Sequence, residues 1–79
     1  MTEMIEIIAK TICDLPEEVD VVEIPGEKSS IIEVRVDQTD LGKMIGKGGK
    51  TAQSIRNIIY AASFKYKKRY TLEIISNSK

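Results

Sequence analysis

LGKMIGKGGKTAQSI, residues 41–55, is the stretch whose reading decides the fold. Before its glycines, residues 39–45 predict a short helix capped by Thr39 or Asp37, with Leu41, Met44 and Ile45 pointing inward. Gly46-Lys47-Gly48-Gly49 breaks that helix. After the glycines, residues 50–65 predict a longer helix. Ala52, Ile55, Ile59 and Ala62 form its apolar stripe, widened by Ile58. Glycine adopts positive φ without steric cost and lets a ligand come close to the backbone. The first amides of a helix lack partners and carry its positive dipole end, so a turn placed there faces an anion. Lys43, Lys47 and Lys50 surround this one with positive charge.

The spacing narrows the choice of anion. A nucleotide-binding P-loop reads G-x-x-x-x-G-K-[ST]. Gly49-Lys50-Thr51 matches its tail, but Met44 stands where its first glycine must be. A whole helix also separates the preceding strand from the turn. A dinucleotide fingerprint fails as well, because no strand leads straight into the glycines and 79 residues cannot hold both βαβαβ halves.

Working outward, residues 3–14 predict a helix with Ile5, Ile8, Ile12 and Leu15 on one stripe, Thr2 as its N-cap and Leu15-Pro16 as its end. Residues 19–24 are β-branched and strand-like. Pro25-Gly26 marks a hairpin loop over 25–30. Residues 31–36 alternate, with Ile32, Val34 and Val36 on one face and Ile31, Glu33 and Arg35 on the other. Residues 70–75 predict a third strand, and the tail Ser76-Asn77-Ser78-Lys79 is expected to fray. The order is α-β-β-α-α-β. It predicts an α+β fold with a three-stranded mixed sheet: an antiparallel hairpin, then a crossover that makes the second and third strands parallel neighbours. All three helices cover one face of the sheet.

Composition excludes whole classes of chemistry. The chain has no His and a single Cys. His-based acid/base pairs, Ser/His and Cys/His nucleophiles, Cys-rich zinc sites and an internal disulfide are therefore ruled out. No enzyme activity, metal or cofactor is expected, and Cys13 reads as a buried thiol of a reducing, cytoplasmic compartment. No run approaches the ~20 apolar residues of a membrane span. The length fits one small domain over residues 1–79. The net charge of zero conceals a division. Residues 1–40 carry 11 acids and 3 bases, whereas residues 41–79 carry 9 bases and one acid, Glu73. That asymmetry points to an anionic partner on the C-terminal half.

Ile45-Gly46-Lys47-Gly48-Gly49, between two helices of a β-α-α-β unit, resembles the I-G-x-x-G signature of the KH RNA-binding domain. The preceding α-β-β is similar to the type II KH arrangement. The run DLGKMIGKGGK, 40–50, resembles the small stand-alone bacterial KH proteins of the KhpA group. The resemblance implies a clamp on about four nucleotides of single-stranded RNA, formed by Gly46, Lys47, Gly48 and Gly49. Lys43 and Lys50 are the expected phosphate contacts. Bases are expected in a groove between the two helices and the central strand, with Ile45, Thr51, Ser54 and the strand residues Ile32 to Val36 as candidate lining. Core packing is the competing assignment for Ile45, Ile55 and Val34. Arg56, Lys65, Lys67, Lys68 and Arg69 read as solvated charges outside the groove. Tyr60, Phe64 and Ile58 cannot all share the buried stripe, so one or two are expected at the surface, open to a partner chain. The resemblance further implies a homodimer, a partner of the KhpB/Jag type, and an RNA-chaperone role linked to cell-wall synthesis and cell shape. The rival expectations are a KH-fold interaction scaffold that has lost RNA binding and a ribosome-assembly factor.

Overall fold

Ile5 and Ala9 are fully buried and fix the inner face of the first helix, α1 (Thr2–Ile12). In the computed structural model, which describes residues 1–77, α1 is followed by β1 (Asp20–Pro25), β2 (Ser29–Val36), α2 (Leu41–Ile45), α3 (Lys50–Tyr66) and β3 (Arg69–Ser76). The element order is the predicted one. α1 ends two residues early, because Cys13 is extended and a short 3-10 turn occupies Pro16–Glu18. Thr2 lies inside the helix, so Met1 and not Thr2 is its cap.

β2 is the middle strand, antiparallel to β1 and parallel to β3. Val21 pairs with Val34, which pairs with Ile74. The alternation predicted for β2 holds: Ile32, Val34 and Val36 are fully buried under the helices, and Arg35 lies exposed on the far face. Glu33, also on the far face, is nonetheless buried, and its carboxylate accepts from Arg35 Nε at 2.6 Å.

The core joins Ile5 and Ala9 of α1, the three β2 side chains, Val21, Met44 of α2, and Ile55 and Ile59 of α3. Each fully buried Ile or Val stabilises the fold by about 1.5–3 kcal/mol. Ile58 is 41% exposed and does not widen the α3 stripe. Its position, one residue before buried Ile59, turns it about 100° off the packed face. Ile45 also departs from expectation: Met44 takes the inward position at the end of α2, and Ile45 is 41% exposed.

Two polar clamps set the placement of α2. Asp37 accepts from the amide and hydroxyl of Thr39 and thereby caps the 3-10 turn Gln38–Asp40 that leads into the helix. Asp40, almost completely buried, accepts from the amides of Asp14 at 3.0 Å and Leu15 at 2.9 Å. A buried carboxylate with two amide donors ties the end of α1 to the start of α2. The tail does not fray as far as it is described. Ser76 belongs to β3, the Asn77 amide donates to the Val36 carbonyl at 2.7 Å, and its side chain donates to the Glu18 carbonyl at 2.6 Å. Ser78 and Lys79 lie outside the described residues.

Candidate nucleic-acid interface

Met44 pins α2 to the core from one side, and Ala52 and Ile55 pin α3 from the other. Between them the chain must reverse within Gly46–Gly49. It does so with three glycines at positive φ: Gly46 at 78°, Gly48 at 64° and Gly49 at 77°. Gly46 has a second reason to be glycine. A Cβ there would collide with the hydroxyl, amide and Cβ of Thr51. At Gly48 and Gly49 no atom would meet a Cβ, so the backbone there is bare and open.

The Gly46 amide closes α2 by donating to the Gly42 carbonyl at 2.8 Å, and the Gly49 amide returns to the Gly46 carbonyl at 3.0 Å. Among the described residues, no backbone acceptor meets the amides of Lys47 and Gly48, both of which are exposed. Directly after them α3 begins, and its first amide, that of Lys50, donates to the Lys47 carbonyl, so the open donors of the turn are those of Lys47 and Gly48. The turn thus presents donors, a helix dipole and lysines together, as an anion site requires.

The nine candidate residues do not all stand alike. Lys47 and Lys50 are exposed and make no ion pair among the described residues. Lys43 is partly committed, because its ammonium donates to the Asp14 carboxylate, which raises the lysine's pKa above its ordinary value. Ile45 lies at the surface beside the turn. Thr51 is half-buried against Gly46. The Ser54 hydroxyl donates back to the Lys50 carbonyl at 3.0 Å and stays exposed.

The inward side chains of β2 are not available to line a groove. Ile32, Val34 and Val36 are core and line no surface, because β2 is covered by the helices on that face and flanked by strands on both edges. The exposed cleft instead lies between α3 and the edge strand β3. It measures about 390 Å³ and is bordered by Gln53, Arg56, Asn57 and Tyr60 on the helix and by Tyr70, Thr71 and Leu72 on the strand. Arg56, read from sequence as a solvated charge, is in this cleft. The available signal was the helical spacing of 53, 56, 57 and 60, a polar flank ending in an aromatic residue.

All three side chains in question on α3 are exposed, Tyr60 at 69% and Phe64 at 67% as well as Ile58. Cys13 is buried, and burial together with the nearby Asp40 carboxylate pushes its thiol pKa up. That removes it from thiolate chemistry. Among the described residues no cluster of His, Cys, Asp and Glu could hold a metal ion, and no helix is long and apolar enough to cross a membrane.

The family described as KhpA/KhpB, KH domain, matches residues 2–74. The RNA-binding protein KhpA of Clostridium perfringens is 48% identical over 75 residues, covering 95% of this chain and all of that protein. The protein of the same name from Caldanaerobacter subterraneus is 49% identical over 75 residues, with the same coverage. That of Aquifex aeolicus is 44% identical, covering 95% of each chain. Among solved structures, Aquifex aeolicus Era bound to GDP·AlF4- superimposes with a TM-score of 0.61 at 16% identity, over 95% of this chain and 29% of that one. Era in complex with a nucleotide analogue and nucleotides 1506–1542 of 16S ribosomal RNA gives 0.60 at 17% identity, again over 29% of the Era chain. The Era likeness is one of fold.

Proposed function

The chain belongs to the KhpA/KhpB KH-domain family, and from that premise we propose that it binds single-stranded RNA with the Gly46–Gly49 turn as a backbone clamp. One observation supports this above the rest: three left-handed glycines expose two adjacent amides at the head of α3, beside Lys47 and Lys50. The sugar–phosphate chain rests on that turn, and bases enter the α3/β3 cleft. Arg56, Gln53 and Asn57 offer hydrogen bonds there, and Tyr60 and Tyr70 offer ring faces.

Lys43 joins the phosphate contacts by exchanging its partner, since its pair with Asp14 is solvent-exposed and weakly held. With two to four phosphates neutralised, log K falls against log salt with a slope of about −1.5 to −3. A footprint of about four nucleotides binds weakly alone. A second site on another chain then adds affinity through effective concentration. The reading therefore includes a homodimer or a KhpB/Jag-type RNA-binding partner, and an RNA-chaperone role in the cytoplasm linked to cell-wall synthesis and cell shape. The exposed apolar side chains of Ile7 on α1 and Ile58 on α3 are free for such a contact. Sedimentation that shows only monomer at high micromolar concentration removes the homodimer.

The deciding test replaces Lys47 and Gly48 each with Asp. Asp tolerates the left-handed backbone at position 48 better than most residues, so the fold is retained by circular dichroism. RNA binding is expected to fall at least tenfold while association with a protein partner persists. Unchanged RNA binding removes the clamp and leaves an interaction scaffold.

A further inference from the structure

Tyr60 borders two hollows. One is the α3/β3 cleft. The other, about 540 Å³, lies at the opposite end of α3 and is lined by Lys28, Tyr60, Ser63, Phe64, Lys67, Lys68 and Arg69. Building on the RNA reading above, we propose that this second hollow is a further RNA subsite, which takes the nucleotides that continue past the clamp along α3.

Three observations carry the proposal. First, the ring pair: Tyr60 and Phe64 meet edge to face, with centroids 5.1 Å apart, and both are about two-thirds exposed. Rings in contact with each other but open to solvent offer a platform for base stacking. Second, the charge: Lys68 is taken up by Glu23 at 3.3 Å and stands over the Tyr70 ring. Lys28, Lys67 and Arg69 make no ion pair among the described residues, although Glu27 is the chain neighbour of Lys28. Third, the backbone: Lys67 is the one non-glycine residue at positive φ among those described, at 54°, and it caps α3 where glycine is the usual residue. A cation is held in a conformation that disfavours any side chain.

Continuity selects the occupant. The hollow opens from the same helix flank as the base cleft and shares a wall residue with it, so a strand leaving the clamp meets Phe64 and then the three cations.

The test compares single-stranded oligouridylates of about four and about ten nucleotides by fluorescence anisotropy, with the intact chain and two variants. For the unmodified protein the longer RNA is expected to bind about tenfold more tightly. Its salt slope should be steeper by about 1.4, two further phosphates at about 0.7 each. Phe64→Leu and the double change Lys67→Gly with Arg69→Gln are each expected to lose this gain while holding the shorter RNA as before. Lys67→Gly suits its backbone, so the double variant folds, and Phe64→Leu tests the ring independently.

Variants that bind the longer RNA like the unmodified protein overturn the subsite. So do variants that lower the sedimenting mass without changing RNA affinity, since the hollow is then a protein contact. The Gly48→Asp protein separates the two levels. If it loses the short RNA while the Phe64 and Lys67 variants change nothing, the clamp stands and the subsite falls. If it keeps the short RNA, the clamp itself falls.

Discussion

The two ends of α3 are built from the same unusual backbone conformation with opposite side chains. At the N-terminal end Gly48 and Gly49 are left-handed, and at the C-terminal end Lys67 is. Glycine at the first removes the side chain and leaves the backbone open to solvent. Lysine at the second keeps the side chain and projects a cation from a sharp turn. One end offers donors that belong to the backbone and cannot move. The other offers charge on a flexible stem that is always solvated. On the proposed reading, one helix offers a polyanion both a fixed grip and a looser, extendable one.

The firmest way to break this comparison is at Gly46. Gly46→Ala forces a side chain into a φ of 78° with ψ of 166° and onto Thr51. Strain and overpacking together are expected to cost about 3 kcal/mol. The checks are a urea midpoint and an RNA titration, and binding should vanish at concentrations where the unmodified turn saturates.

A mirrored pair of substitutions sharpens it. Gly48→Ala has room for its methyl group but not the backbone preference, so it should destabilise by about 1 kcal/mol. Lys67→Gly relieves the same strain at the other end and should stabilise by up to about 1 kcal/mol. Thermal melts of the two proteins moving in the same direction would mean that the ends are not equivalent after all.

A smaller effect concerns charge beside the glycine end. Asp14→Asn frees the Lys43 ammonium, and RNA affinity should rise about twofold, in keeping with an exposed ion pair. An unchanged affinity would show that Lys43 does not reach the strand.

The smallest concerns the lysine end. The Glu23 carboxyl lies below its ordinary value of 4.5, with the nearby Ser30 hydroxyl as the first cause and the Lys68 ammonium, at 3.3 Å, as the partner in hydrogen-bond contact. A carboxylate with a lowered folded-state pKa stabilises the fold fully above its unfolded value, and the contribution fades as pH falls through and below that value. Glu23→Gln is therefore expected to flatten the acid side of the stability profile below about pH 4.5, while Lys68 turns more freely. The check is a denaturant midpoint measured at neutral and at acid pH.

How far all this could be read in advance varies by element. β2 announced its buried face because Ile32, Val34 and Val36 alternate strictly, and α3 announced Ala52, Ile55 and Ile59 by helical spacing. The glycine turn was legible too, since four residues with three glycines between two apolar periods admit little else. Ile45 and Ile58 were misplaced because both follow or precede a residue that fills the inward position, and periodicity near a helix end leaves two neighbours competing for it. That Ile32, Val34 and Val36 line no surface, and that Arg56 borders a cleft with β3, is not legible in the spacing, because helix flanks are chosen by what packs beside them.

Element type, order and the inward faces rest on residue spacing along the chain, so 79 letters were enough to set them, and with them the fold and the glycine turn. Which surface α3 shares with the sheet, which lysines are already paired, and that the KYKKR run borders a hollow with Tyr60 and Phe64 all depend on residues far apart in the chain. Those contacts come into being only when β3 settles parallel to β2 and draws the basic turn and the hairpin loop together.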